Sequence, residues 1–409
     1  MKSRYFHPDR VNQFVRQITP WLVGMVLVLF AVVPFHAFLV TVAGAAWGHQ
    51  LVFASWKEVL ELLIIVGVGG LAILQRDGSW LKRGANRTIV VALALGLIAS
   101  FFGEGFGISW LAGMKTTVMP LLLFVFIQPL AKHFTDRRLV QVVLLPAVIV
   151  AGLALLQFVF MPIAWLTSLG YNAQTILPFQ GVHPGFNYAR AFSTLGGPNQ
   201  LGAYLILPAV WLLARSLSEI HRRQRFIAML GFGIVATGLA LSFSRSALLG
   251  LIAGLVMVVA LYLPTRWRWF ILGLAAVAAW LSWLLVLDVV RSATNTALSS
   301  YFLRGTLSTT GIIGGDSGHV QAVMDGLRLA LAHPLGLGIG SAGPATFYRA
   351  HPLLTENWWI QISLELGLPG LLALVMSWIL IGKHWLTHLD HLDQVLFATF
   401  CGLAVSGLF

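Results

Sequence analysis

Gly311-Ile312-Ile313-Gly314-Gly315-Asp316-Ser317-Gly318-His319 opens the stretch, reaching to Gly370, that holds the longest segment without a membrane-spanning apolar run. Runs that a bilayer would hold stand on both sides of it. After the loop at 314–319, Val320, Val323, Leu327 and Leu331 recur at three- and four-residue spacing, which predicts an amphipathic helix with Asp325 and Arg328 on its other faces. His333-Pro334 ends that helix, because a residue before proline is pushed out of the α region. Gly336, Gly338 and Gly340 then allow a close backbone approach. After a polar turn, Glu356-Asn357-Trp358-Trp359 leads into the next apolar run. A carboxylate at that place needs a reason, since burying an unpaired charge where a helix meets hydrocarbon is costly.

Outward from this stretch the chain is apolar almost everywhere. Apolar residues make up 58% of the 409 positions and charged ones 10%, which excludes an ordinary water-soluble domain of this length. Runs able to span, about 20 residues each, lie near Trp21–Trp47, Val59–Gln75, Ile89–Phe102, Thr116–Leu130, Leu139–Trp165, Leu201–Leu213, Phe226–Leu241, Ala247–Leu263, Trp269–Val290 and Trp358–Ile381. An eleventh begins at Val395 and stops with the chain at Phe409, so a truncated chain or a missing final hairpin is expected. The expected fold class is an all-α polytopic integral membrane protein of about 11–12 transmembrane helices, with a large extracytoplasmic loop between the late helices. The expected division is 1–290 for helices one to nine, including an outer loop at 166–200, then 291–357 for the large loop and 358–409 for the last helices. Ala43-Gly44-Ala45 imitates a signal-peptidase site, but the long run before it, followed by more spans, reads as an uncleaved anchor. Cys401 stands alone within a run, so neither a disulfide framework nor a thiolate metal site is expected.

Basic residues set the orientation. With the amino terminus in the cytoplasm, 18 of the 26 Lys and Arg fall in cytoplasmic loops, including Arg83, Arg137 and Arg222. The net charge of +12 is thus mostly a topology signal, and a nucleic-acid partner is not expected. Eight basic residues remain outside: Lys57, Lys115, Arg190, Arg245, Arg291, Arg304, Arg328 and Arg349. Lys57 begins a run with Glu58 and Glu61, and an ion pair that holds the fold is the simpler reading there. Arg190 precedes Ser193-Thr194 and the turn Gly196-Gly197-Pro198-Asn199, where Asn199 either caps the next helix or meets a ligand. Ser242-Phe243-Ser244-Arg245 joins two runs with almost no loop, which puts Arg245 at the outer edge of the bilayer. Two isolated arginines on one face, each in a serine-bearing turn, fit a shared anionic ligand better than separate snorkelling to headgroups.

Three motifs in this order resemble the O-antigen ligase and polysaccharide polymerase superfamily of bacterial membrane glycosyltransferases. They are Arg190 with Ser193-Thr194 and Gly197-Pro198-Asn199; Ser242-x-Ser244-Arg245; and His333-Pro334-Leu335-Gly336-Leu337-Gly338 leading to Glu356-Asn357, nine further residues, and Gly367-Leu368-Pro369-Gly370. The resemblance covers roughly Arg190 to Gly370. It implies a GT-C-like membrane fold in the bacterial inner membrane with an active site on the extracytoplasmic face. It further implies a polyprenyl-diphosphate-linked glycan donor, a glycan or lipid-linked acceptor, and membrane lipid as surroundings. The arginines that hold the diphosphate in this family match Arg190 and Arg245. The ligases commonly carry His-Asn where this chain has Glu356-Asn357, so a strict lipopolysaccharide-ligase assignment does not follow and the polymerase branch is equally open.

The implied reaction is an inverting transfer to an acceptor hydroxyl, with Glu356 as general base. No divalent ligand set stands in the outer loops, so neither metal nor cofactor is expected. Asn199, His319 and Asn357 are weaker candidates for substrate binding. Trp358 and Trp359 either stack on sugars or form an interfacial belt. A transporter or a flippase of lipid-linked glycans is the competing class. It would place charges along a central path, whereas the runs at Ile89–Phe102 and Trp269–Leu287 carry almost none.

Overall fold

The computed structural model describes residues 8–103, 105–161, 163–180, 189–264, 316–349, 351–355, 357–388 and 390–407, with isolated helical positions between 266 and 277. In chain order its main helices are α1 (Pro8–Val32), α2 (His36–Trp47), α3 (Trp56–Gln75), α4 (Gly84–Phe102), α5 (Ile108–Gly113), α6 (Met119–Ile127), α7 (Asp136–Phe160), α8 (Pro198–Ser218), α9 (Arg222–Leu241), α10 (Arg245–Tyr262), α11 (Asp316–Ala332), α12 (Trp358–His388) and α13 (His391–Ser406). Among the described residues there is no strand, and nine helical segments are long and apolar enough to cross a membrane. They fall on the expected runs, apart from Trp269–Val290, most of which lies outside the described residues. Ile73, Phe102, Val66 and Phe160 are exposed on these helices. So much outward apolar surface suits lipid and not water. The protein is an all-α polytopic membrane protein.

The chain packs as two compact units, each drawn from three separate stretches. The first comprises 1–33, 51–146 and 325–381. Within it α1, α3 and α6 share a core of Leu22, Val26, Ile64, Val68 and Leu123. Gly67 makes this approach possible, since a Cβ there would stand 2.6 Å from Leu22. At one end of α4, Asn86 and Gln128 exchange amide hydrogen bonds of 2.9 and 2.7 Å. Glu58 pairs with both Lys57 and Lys115 at 2.9 Å, so the expected ion pair also ties α3 to the π-helical turn Met114–Val118. A second core joins Ile89, Leu93, Val118, Ile339, Ile362 and Leu366.

The second unit comprises 34–50, 147–324 and 382–409. Its centre is α8, whose apolar window is 61% buried, far more than that of any other described span. Helices α10 and α13 touch through Gly250, Gly254 and Gly402; a Cβ on Gly250 would stand 2.6 Å from the Gly402 carbonyl. Between helices in lipid, close backbone packing of small residues takes over the role that hydrophobic burial plays in water.

Three local expectations change. The residues Asp316–His319, read as loop, form the first turn of α11. On that helix the packed positions are Gly326 and Ala330, while Leu327 and Leu331 are 44% and 64% exposed. The single span expected at Trp358–Ile381 is broken at Gly367, whose φ of +75° is non-helical. Trp358 stacks on Trp378 with ring centroids 5.8 Å apart. A straight helix would separate positions twenty apart by about 30 Å, so the chain folds back on itself at Gly367.

Candidate functional site

Two clusters of polar side chains stand out, one in each unit. In the second unit the segment 190–197 runs as a buried thread, with Ala191, Phe192 and Thr194 almost wholly enclosed. Its backbone groups are satisfied from several directions. Ala191 N–H donates to Leu241 O at 2.9 Å, and Phe192 and Ser193 N–H both donate to Gln157 Oε1, at 3.1 and 2.7 Å. The Ser193 hydroxyl donates to Val150 O and the Thr194 hydroxyl to Pro34 O, at 2.7 and 2.8 Å. These bonds hold Ser193 at a φ of +54°, a left-handed conformation that a residue with a side chain seldom adopts.

Arg190 crosses from this thread to the neighbouring turn. Its Nε–H donates to Ser242 O at 2.9 Å, and one Nη donates to Asn199 Oδ1 at 2.7 Å and to Phe243 O at 3.5 Å. Phe243 is also left-handed, with a φ of +52°. Ser244 is the N-cap of α10, and Arg245 is that helix's first residue. The first turns of α8 and α10 lie side by side, because Gly202 leaves room. A Cβ on it would stand 2.6 Å from Ala247 and 3.0 Å from Ser242 Oγ. The structure therefore brings Arg190, Asn199 and the Ser242–Arg245 turn together. Asn199 does not cap α8, whose N-cap is Gly197; its side chain accepts from Arg190 instead.

The other cluster belongs to the first unit. The turn after α11 carries Gly336, Gly338 and Gly340, with φ of +84°, +99° and +76°. It lies against backbone on every side: Leu337 N–H donates to Leu364 O at 2.7 Å, Leu368 N–H to Pro334 O at 2.8 Å, and Ile339 N–H to Ser100 Oγ at 3.0 Å. A Cβ on Gly340 would fall 2.0 Å from Ser109 O, which only glycine avoids. Beneath this turn sits Glu365, completely buried. The Thr117 hydroxyl donates to its Oε2 at 2.6 Å and Gln361 Nε2 to its Oε1 at 3.4 Å, while the Gly340 N–H bonds the same carboxylate. The Gly340 carbonyl accepts from an Arg349 Nη at 2.9 Å, and Arg349 Nε–H donates to Ser109 Oγ at 3.2 Å. Partial burial pushes the Arg349 guanidinium down from its usual range.

Glu356 lies outside the described residues. Its neighbour Asn357 caps α12, accepting from Ile360 N–H at 3.1 Å. His319 lies in the first turn of α11. Trp358 and Trp359 pack on Trp378 and on one another, with centroids 4.8 to 5.8 Å apart. Sequence reasoning passed over Glu365 and Gln157. Glu365 had a visible signal, being a lone carboxylate inside an apolar run. Gln157 had none, since its role depends on a thread 35 residues away.

No curated protein and no solved structure matches the chain. Residues 230–375, which hold Arg245, the glycine-rich turn, Arg349 and Glu365 while leaving Arg190 and Asn199 before them, match the family described as O-Antigen ligase, and this match supports the resemblance to the O-antigen ligase and polymerase superfamily.

Proposed function

We propose that the protein transfers a glycan from a polyprenyl-diphosphate-linked donor to an acceptor hydroxyl during assembly of cell-surface polysaccharide, as a ligase or polymerase of the bacterial inner membrane acting on its extracytoplasmic face. The family match supports a glycosyltransferase-like function of the O-antigen ligase type. The observation that carries the finer reading is the convergence of positive groups on one turn. Arg245 is a cation at a helix N-terminus, the unfavourable end of the dipole, at a cost of roughly 0.3–1 kcal/mol. Arg190 reaches the same turn, and the first turn of α8 lies alongside. A diphosphate at this turn would take helix N–H groups and guanidinium donors together.

In the reaction, the acceptor oxygen attacks C1 of the donor sugar and its proton passes to Glu356. The bond from C1 to the phosphate oxygen breaks, and its electron pair leaves with the polyprenyl diphosphate. Attack opposite the leaving group inverts the anomeric centre. The arginines and helix ends stabilise the charge that grows on the leaving group. Asn199 and Asn357 act by holding Arg190 and the start of α12, and His319 is a secondary substrate contact.

The test is transfer by the purified protein in lipid nanodiscs, with a lipid-linked donor and with either lipid A–core or a second lipid-linked unit as acceptor. Glu356→Gln is expected to slow turnover per folded molecule by about 10²- to 10⁴-fold, the range of general-base catalysis, with donor affinity kept. Unimpaired turnover in that variant removes Glu356 from the chemistry. Product on lipid A–core identifies a ligase, and a lengthened lipid-linked chain a polymerase.

A further inference from the structure

In the first unit, a groove of about 420 Å³ opens between the loop after α4 and the turn before Arg349. One wall is Gly105 to Trp110, where Phe106 meets Phe101 and Trp110 edge-on at 4.9 and 5.0 Å. The other is Tyr348 and Arg349. Both walls are fixed. Leu353 N–H donates to Thr346 Oγ1 and Gly343 N–H to Leu353 O, each at 2.9 Å, closing the loop that carries Tyr348. Arg349 is tied to Ser109 of the opposite wall. Phe106 and Tyr348 nevertheless remain 55% and 64% exposed. Gly107 has extended backbone that any residue adopts, and a Cβ there would meet nothing within 4 Å.

We infer that this groove is a subsite for a sugar ring of the acceptor glycan. A pyranose presents an apolar C–H face and a rim of hydroxyls, and the groove offers both complements. Exposed aromatic rings take the C–H face. Ser109, Arg349 and the backbone of Gly105 and Gly107, all of which line the groove, take the hydroxyls. An acyl chain has no hydrogen-bonding groups to set against this polar rim, and a diphosphate would find one guanidinium where it needs more. The volume falls in the range of small-ligand sites. That the sugar is the acceptor's rests on the proposed function. Glu356, the base that must touch the acceptor hydroxyl, follows Arg349 by seven residues, which span at most about 25 Å.

Two variants test the subsite without disturbing the fold. Gly107→Leu fills the groove from a position with open space, and Tyr348→Ala removes an exposed ring. With saturating lipid-linked donor, each is expected to raise the acceptor KM by about tenfold, the weight of one good aromatic contact. Donor KM and the thermal midpoint stay at wild-type values. Unchanged acceptor KM in both variants overturns the subsite, as does an equal rise in donor KM. A second readout separates this from the proposed function. Saturation-transfer NMR uses the free oligosaccharides released by mild acid from the source cells' glycolipids. Transfer to sugar protons with the wild type and its loss in Gly107→Leu uphold the groove even if no glycosyl transfer is seen. Absence of transfer to any sugar proton, or displacement of the sugar by inorganic diphosphate, overturns it.

Discussion

Arg190 and Arg245 are the same residue type in two different situations, and the difference is measurable. Arg190 donates to two backbone carbonyls and to Asn199. Arg190→Ala leaves those acceptors short, so it is expected to lower stability by roughly 1–3 kcal/mol as well as abolish transfer. Arg245→Ala is likewise expected to abolish transfer, and removing a cation from a helix N-terminus returns roughly 0.3–1 kcal/mol of stability. Thermal unfolding beside turnover in one nanodisc preparation separates the two effects. Near-normal turnover in either variant removes that residue from the site. Glu365 belongs to the same scale. Glu365→Ala strands the Thr117 hydroxyl in a closed interior and leaves a cavity, a loss of about 2–4 kcal/mol. Glu365→Gln keeps an oxygen towards Thr117 and is expected to lose less. Matching midpoints for the two variants would show that the hydrogen bond contributes nothing.

The element that most depends on exact backbone fit is the turn Gly336–Gly340. Its three left-handed glycines press on Gly367, Ser100 and Ser109, so each loses both a conformation and a clearance when given a side chain. Gly340→Ala drives a methyl into the Ser109 carbonyl. It is expected to cost at least about 1–3 kcal/mol and to displace Arg349, which hangs on the Gly340 carbonyl. Gly107→Ala, in extended backbone with open space, is expected to leave the unfolding midpoint where it was. The pair is a direct check: equal effects on the midpoint would mean that the turn is not seated as described. Helix α12 shows the same dependence on one glycine. Its reversal at Gly367 packs Trp358 and Trp359 on Trp378, so those rings serve the fold of the hairpin.

At the scale of the molecule, the positive-inside rule expects the amino terminus and the loops at Arg83 and Arg222 in the cytoplasm and the segment from Gly311 to Asn357 outside. Reporter fusions at residues 83, 222 and 330 check this, and a cytoplasmic signal at 330 would overturn the whole reading of the outer face. The membrane class and most helix positions were legible from hydropathy alone, because a bilayer requires long apolar runs with internally satisfied backbone. Arg190 and Arg245 stood out in the sequence because each breaks an expected rule, a cation on the side the charge bias disfavours, and the structure brings Arg190 to the turn that leads into Arg245. The exposure of Leu327 and Leu331 was not legible, since in a membrane protein an apolar face can turn to lipid as readily as to a core. Nor was the fold-back at Gly367, because hydropathy records how apolar a run is and says nothing of its direction. Glu365 and Thr117 meet across 248 positions of sequence, and Asn199 gives up a capping role for Arg190. Sequence by itself determined which segments enter the bilayer, a property each segment carries alone. Only the tertiary structure decided which polar groups answer one another, because a buried donor or acceptor is satisfied by whatever the fold brings near it.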